Sequence, residues 1–144
     1  MGLASRVPQP KASIRLGGRM HAAYLRRFGA RGPLADDVLA LTTQGRVSGK
    51  PRSTTVYHLD RDGRMYVVAT FGGAGRLPDW YFNLVADAHV TVVVRGRRTR
   101  RVARVLSPDE ADVLWPVLDA WYPLFVKYRA QTPGTIPVVE LIPE

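Results

Sequence analysis

The chain has 144 residues, of which 46% are hydrophobic and none is cysteine, and it carries a formal net charge of +9. This length is enough for one domain with a hydrophobic core and too short for two, and the absence of cysteine excludes disulfides, thiol nucleophiles and thiolate metal sites. The positive charge favours an anionic partner, which is nucleic acid, an acidic membrane surface or a small molecule with several negative groups.

The N-terminal part is predicted to be a flexible tail followed by a basic amphipathic helix. Residues 1–12 are polar and contain proline, as is typical of a poorly ordered tail, and residues 13–144 are expected to form one domain. Over residues 14–28, apolar side chains recur every four positions and arginines cover much of the remaining surface. Such a helix either lies on an anionic membrane or packs on its own domain.

No apolar run of the chain approaches the ~20 residues that span a bilayer. We therefore expect a cytoplasmic protein, soluble or peripheral on the inner face of the cell membrane.

The rest of the chain is predicted to contain about six strands, several of them in consecutive hairpins. Two hairpin turns are marked by the pair Asp62-Gly63 and by Gly96. The sequence shows no regular alternation of strands and helices, which favours an antiparallel sheet or a small barrel over a doubly wound fold. The strands are expected at residues 37–43, 53–60, 65–71, 89–95, 98–106 and 136–142.

The C-terminal half is predicted to contain two consecutive helical pieces. Ser107 can cap the first helix, Pro108 suits its first position, and Glu110 completes a capping box. This helix should run to about Trp121, and Pro123 then separates it from a second piece.

The segment LTTQGRVSGKPR, residues 41–52, breaks a β-rich run with a turn that contains two glycines and a serine. Such a turn exposes backbone N–H groups, while Arg46, Lys50 and Arg52 supply positive charge. The segment is therefore either a site for an anion such as a phosphate or an ordinary solvated hairpin turn.

The segment TFGGAGRLPDWYFNL begins at Thr70 and joins a glycine loop to a predicted helix at residues 80–86, with Asp79 as its N-cap. A glycine loop before a helix N-terminus can hold an anion or a carbonyl oxygen. The aromatic side chains from Trp80 to Phe82 either add a flat apolar surface to this site or simply fill the core.

The run RGRRTRRVAR, residues 95–104, is the most basic part of the sequence. It is either a phosphate-neutralising nucleic-acid surface or a solvated hairpin whose charge discourages edge-to-edge pairing. The run contains no aromatic residue on which bases could stack, so we favour the solvated hairpin and expect no nucleic-acid partner.

Three segments together resemble the deazaflavin-dependent nitroreductase family of split β-barrel proteins, which use coenzyme F420. They are LTTQGRVSGKPR, VATFGGAGRLPDWYFNL and LWPVLDAWYPLFVKYRAQTPGTIPVVEL, and the likeness extends over residues 37–143. The resemblance implies an α+β, mainly β fold, a split barrel with short flanking helices, and F420 rather than FMN as cofactor. It also implies hydride transfer from reduced F420 to a quinone or nitro compound, and a homodimer is a further expectation because split barrels frequently pair.

The resemblance also implies the residues of the site, none of which would react covalently because the cofactor carries the chemistry. The substrate pocket would be shaped by Tyr57, Tyr122, Phe125 and Tyr128. The residues expected to contact the cofactor are Arg46, Val47, Ser48, Arg52, Val68, Ala69, Thr70, Phe71, Asp79, Trp80, Tyr81, Asn83 and Phe125.

The chain departs from the family pattern at several of these positions. Val47 stands where lysine is common, Thr70-Phe71 where Ser-Lys is frequent, and Phe125 where tyrosine is usual. The phenylalanine has no proton to donate, which weakens any mechanism that needs a phenol there. A non-catalytic F420 or flavin carrier and a basic nucleic-acid-binding module are therefore the alternative functions.

The three histidines are far apart and lack carboxylates at ligand spacing, so no metal site is predicted.

Overall fold

The computed structural model describes residues 38–70 and 76–144. The predicted tail at residues 1–12 and the predicted helix at residues 14–28 lie outside the described residues. Six antiparallel strands close into a barrel in the order β1-β2-β3-β6-β5-β4. The strands are β1 (Val38–Gln44), β2 (Pro51–Arg61), β3 (Arg64–Val68), β4 (His89–Val94), β5 (Arg97–Val105) and β6 (Val138–Pro143), and the helices are α1 (Asp79–Ala86), α2 (Pro108–Trp121) and α3 (Leu124–Gln131). The predicted fold class, a mainly β antiparallel barrel with short helices, is confirmed.

The strand register defines two ends of the barrel. At the upper end, Gln44 pairs with Pro51, and the end of β3 at Val68 pairs with the start of β6. At the lower end lie the β2–β3 turn, the β4–β5 turn at residues 95–96, and the end of β6. Functional features at the two ends are therefore separated by the length of the strands.

The barrel interior is a mainly apolar core that α1 helps to complete. Because side chains alternate across a strand, every second residue points inward, and Leu41, Val92 and Leu141 are fully buried there. Trp80 and Leu84 of α1 belong to the same cluster. Burial of this apolar surface therefore anchors α1 against the barrel.

A second apolar core lies between the barrel and helices α2 and α3. Tyr66 and Val68 of β3 point away from the barrel interior and pack in a cluster with Leu118 and Phe125. Both faces of β3 are therefore covered, which explains why four of its five residues are buried.

Arg104 joins β5, β6 and α2 through two carboxylates. Its Nη1 donates to Oε1 of Glu110 and its Nη2 to Oε1 of Glu140, each over 2.9 Å. The capping box predicted for α2 is confirmed, because Glu110 N–H donates to Ser107 Oγ and Ser107 N–H donates to Glu110 Oε1. The hydrogen bond from Arg104, followed by that from Ser107, lowers the pKa of Glu110 to about 2.

Several predicted boundaries near the upper end are wrong. Strand β2 begins at Pro51 rather than at residue 53, and β6 begins at Val138 rather than at residue 136. The N-cap of α1 is Pro78, and Asp79 is the first helical residue rather than the cap. The extended backbone of Pro78 suits a position just before a helix, and Asp79 instead pairs with an arginine described below. Strand β3 ends at Val68 rather than at residue 71, because the chain bends there and the N–H of Thr70 donates to the Val68 carbonyl over 2.9 Å.

Candidate functional site

The predicted anion-binding turn at the upper end has a fixed backbone. Gly45 N–H donates to the carbonyl of Lys50, and Gly49 N–H donates back to the carbonyl of Gly45, each over 2.8 Å. Gly49 has a φ of +71°, which favours glycine, and a Cβ on Gly45 would lie 2.5 Å from Ser48 Oγ. The two glycines therefore allow the compact turn, and Val47 projects from it with its side chain 92% exposed.

Arg46 ties this turn to the first turns of α1. Its backbone N–H and its Nη1 both donate to Oδ1 of Asn83, over 3.1 and 2.8 Å. Its Nη2 lies 3.3 Å from Oδ1 of Asp79, and its guanidinium lies 5.3 Å from the ring centre of Phe82. Asn83, which is buried, also donates to Thr43 Oγ1 over 3.1 Å. The end of β1, the turn and α1 are therefore locked together by hydrogen bonds.

The remaining positive charge of the turn comes from Lys50 and Arg52. Both side chains are exposed, and within residues 38–70 and 76–144 neither makes an ion pair. The N–H of Lys50 donates to Ser48 Oγ over 3.1 Å, which leaves the Ser48 hydroxyl hydrogen available as a donor. The predicted residues Arg46, Ser48 and Arg52 thus lie around one turn, although the Arg46 guanidinium already contacts α1.

The end of β3 lies between the two apolar cores. Val68 packs in the outer cluster, whereas Ala69, which is fully buried, packs in the interior cluster with Trp80. The predicted contact residue Phe71 lies outside the described residues. The Trp80 indole Nε1 is buried and has no hydrogen-bond partner among the described residues. Tyr81 is half-buried and packs edge-on against the neighbouring phenylalanine, with ring centres 5.4 Å apart.

The four aromatic residues predicted to shape a pocket form one connected group. Tyr57 of β2 lies 5.6 Å from Tyr122 between ring centres, and Tyr122 lies 4.8 Å from Phe125. The hydroxyl oxygens of Tyr122 and Tyr128 are 3.4 Å apart. Phe125 is 4% exposed, so its ring is part of the outer core. Phe125 and Tyr128 are neighbours on α3 and Tyr122 precedes that helix, while Tyr57 joins them from a distant strand.

Several residues that support the site were not predicted. Thr43 contacts the turn–helix unit, and Arg129 of α3 makes two hydrogen bonds of 2.6 and 2.7 Å to the Asp119 carboxylate. The Arg129 guanidinium also lies 4.0 Å from the ring centre of Trp115. Thr43 follows the inward alternation of β1, so its burial was predictable, but the pairs between helices have no local sequence signal.

Comparison with known proteins identifies close relatives of this chain. A family model described as F420H(2)-dependent quinone reductase matches residues 15–143. An F420H(2)-dependent quinone reductase of Mycobacterium tuberculosis strain H37Rv is 35% identical over 131 residues, which cover 85% of this chain and 87% of that protein.

Two solved structures are similar in fold and sequence. An F420-H2 dependent reductase, FDR-A, has a TM-score of 0.66 and 31% identity, covering 73% of this chain and 93% of its own. A structure described as a domain-swapped dimer has a TM-score of 0.66 and 27% identity, covering 92% of this chain and 99% of its own. From the family model and these identities, the chain belongs to the F420H(2)-dependent quinone reductase family.

Proposed function

We propose that the upper end of the barrel binds reduced coenzyme F420 and that the protein transfers a hydride from it to a quinone. The proposal rests on the turn of residues 45–50. Hydrogen bonds between Arg46 and Asn83 fix this turn to α1, while the side chains of Lys50 and Arg52 stay exposed. A relative in Mycobacterium tuberculosis that is 35% identical is named for the same reaction.

The residues of the upper end fit an anionic cofactor with a flat ring. Lys50, Arg52 and the Ser48 hydroxyl offer positive charge and a donor for a phosphate. The buried Trp80 indole N–H lacks a partner among the described residues and offers a donor for a ring oxygen or nitrogen. Val68, Ala69 and Thr70 are buried at the strand end beside it. We therefore assign Arg52, Ser48, Trp80 and the end of β3 to this one surface.

The protein's own residues bind and orient rather than react. F420 in its reduced form supplies the hydride when it is bound. Arg46 and Asn83 keep the turn in place, so its backbone needs little reorganisation on binding. Tyr57, Tyr122 and Tyr128 border the acceptor site, and the two hydroxyls 3.4 Å apart can hold a proton for the reduced quinone. Phe125 contributes apolar surface that excludes water and no proton.

Three finer features belong to the same proposal. Nitro compounds are a second class of electron-poor acceptor.

The predicted basic helix at residues 14–28 would bind an anionic membrane surface. No helix among residues 38–70 and 76–144 is long and apolar enough to cross a bilayer. A homodimer is proposed because one structural relative is described as a domain-swapped dimer.

A cofactor titration tests this assignment. Because Trp80 adjoins the proposed site, F420 should quench tryptophan fluorescence at lower concentrations than FMN does. The double variant Lys50→Ala with Arg52→Ala should bind F420 at least about tenfold more weakly, as expected for the loss of charge-assisted hydrogen bonds. Lys127→Ala, an exposed lysine on α3, is the matched control and should bind as the parent does. Equal or absent quenching by both compounds would contradict the cofactor assignment.

A further inference from the structure

A groove lies at the lower end of the barrel, away from the turn of residues 45–50. Its volume is about 980 Å³, within the range of small-molecule sites. Strands β3, β4, β5 and β6 contribute to it where their lower ends meet. The proposed function leaves this groove without a role.

The groove combines strong positive charge with an apolar floor. Four arginines line it, including Arg97 and Arg100, against one acidic residue, Glu144, among the described residues. Glu144 lies 3.2 Å from Nε of Arg100, so it offsets only part of this charge. Met65 and Val94 form an apolar surface beside the guanidinium groups.

Arg101 is held in a fixed orientation in this groove. It lies on the inward-pointing side of β5, in register with Pro143, and it is half-buried. Its Nη1 donates to the carbonyl of Leu141 over 2.9 Å, and its Nε donates to Thr99 Oγ1 over 3.4 Å. These two bonds use two of the five guanidinium N–H donors. A guanidinium that is already positioned loses little rotamer freedom when it binds an oxyanion.

We propose that this lower groove is a second anion-binding site, which takes a small molecule with two or more phosphate groups. Several guanidinium groups around one concavity match the paired oxygens of phosphates, and the apolar floor suits the body of an organic phosphate. No aromatic ring lines the groove among the described residues, which argues against a platform for stacked bases. The ligand therefore differs from a nucleic acid, the partner that the basic run first suggested.

Calorimetric titration with inorganic triphosphate tests the proposal on the full chain. The parent protein should bind one triphosphate at moderate salt, and the double variant Arg97→Gln with Arg100→Gln should bind it at least about tenfold more weakly. Arg98→Gln is the matched control, because Arg98 is exposed on the same strand but does not line the groove. It should change the affinity by less than about twofold. An equal loss of triphosphate affinity in Arg98→Gln would mean that the overall positive charge of the surface, rather than the groove, binds triphosphate. That result would overturn the proposal.

Two further experiments distinguish binding in this groove from anion binding elsewhere on the protein. Triphosphate affinity should be unchanged when F420 is saturating, because the two sites lie at opposite ends of the barrel. Full displacement by F420 would place triphosphate at the upper end and overturn the proposal. The proposal is also overturned if the protein fails to bind triphosphate but binds duplex DNA or anionic phospholipid vesicles, and if that binding depends on Arg97 and Arg100. The groove would then be part of a surface for a macromolecule.

Discussion

At the scale of single residues, Asn83 is central to the proposed cofactor site. Its side chain accepts hydrogen bonds from Arg46 and donates one to Thr43, so it joins the turn, α1 and β1. It is 4% exposed, and its removal would leave buried polar groups without partners. Such groups are costly in a protein interior, which makes Asn83 important for both stability and binding.

Replacing this asparagine with an apolar residue should affect the fold and the site together. Asn83→Leu is expected to lower the free energy of unfolding by about 2–3 kcal/mol, because the Thr43 hydroxyl and the Arg46 N–H lose their partners. Urea unfolding measures this change, and fluorescence titration should show weaker F420 binding. Val85→Leu on the exposed face of the same helix is the control and should alter neither quantity. Parent-like F420 affinity in Asn83→Leu would contradict the proposed role of the turn.

Val47 offers a test of charge at the tip of the turn. Its side chain is 92% exposed, so Val47→Lys should leave stability unchanged while adding a positive charge beside the proposed phosphate site. We expect tighter F420 binding at low salt and a steeper loss of affinity as salt is raised. Titration at two salt concentrations measures both effects. Val113→Lys, on an 80% exposed position of α2, is the control, and an equal gain there would mean that the effect is not local.

At the scale of elements, Arg104 and Glu110 connect the start of α2 to strands β5 and β6. The pKa of Glu110 is lowered to about 2 by hydrogen bonds from Arg104 and Ser107, and that of Arg104 is raised mainly by the hydrogen bond that it donates to Glu110. A carboxylate with a lowered pKa stabilises the folded state above its ordinary pKa of 4.5. This contribution is lost as the pH falls from there towards about 2.

The capping box therefore predicts a pH-dependent stability difference. Glu110→Gln should be less stable than the parent at neutral pH, and the difference should shrink as the pH falls through the window between the ordinary and lowered pKa values. Urea unfolding of both proteins across that window measures it. Asp109→Asn, an exposed acid in the same helical turn, is the control. A difference between parent and Glu110→Gln that stays constant throughout would contradict the assigned role of the ionised carboxylate.

Local chemistry explains which elements were predictable from the sequence. The capping box at Ser107 and the glycine turns depend on neighbouring residues, so their positions were predicted correctly. The start of α1 was wrong by one residue because Asp79 could serve as a cap by sequence, whereas in the fold its carboxylate contacts the distant Arg46. The pairings of β1 with β4 and of β3 with β6, which close the barrel, join segments far apart in sequence and have no local signal.

At the scale of the whole molecule, site prediction depended on combining separate segments. The turn, α1 and the aromatic helices each permitted an ordinary structural interpretation, and only the resemblance to a family pointed to one cofactor. The barrel brings Arg46 and Asn83 together and groups Tyr57 with Tyr122. These contacts depend on long-range packing, which spacing along the chain does not encode.

The proposed homodimer can be tested by the mass of the protein in solution. Sedimentation equilibrium on the full chain should give twice the monomer mass of 16.0 kDa at micromolar concentrations. The reason is that a relative covering 92% of this chain is described as a dimer. A single species at the monomer mass across the accessible concentration range would contradict this prediction.

The most direct test of the proposed function is the oxidation of reduced F420 by menadione under anaerobic conditions, followed by the return of the absorbance of oxidised F420. An enzyme should turn over many equivalents of reduced F420 per protein chain, and the Lys50→Ala with Arg52→Ala variant should require more cofactor for the same rate. A non-catalytic carrier would bind F420 without accelerating its oxidation. Tight binding of F420 with oxidation no faster than in the absence of protein would contradict the proposed quinone reductase activity.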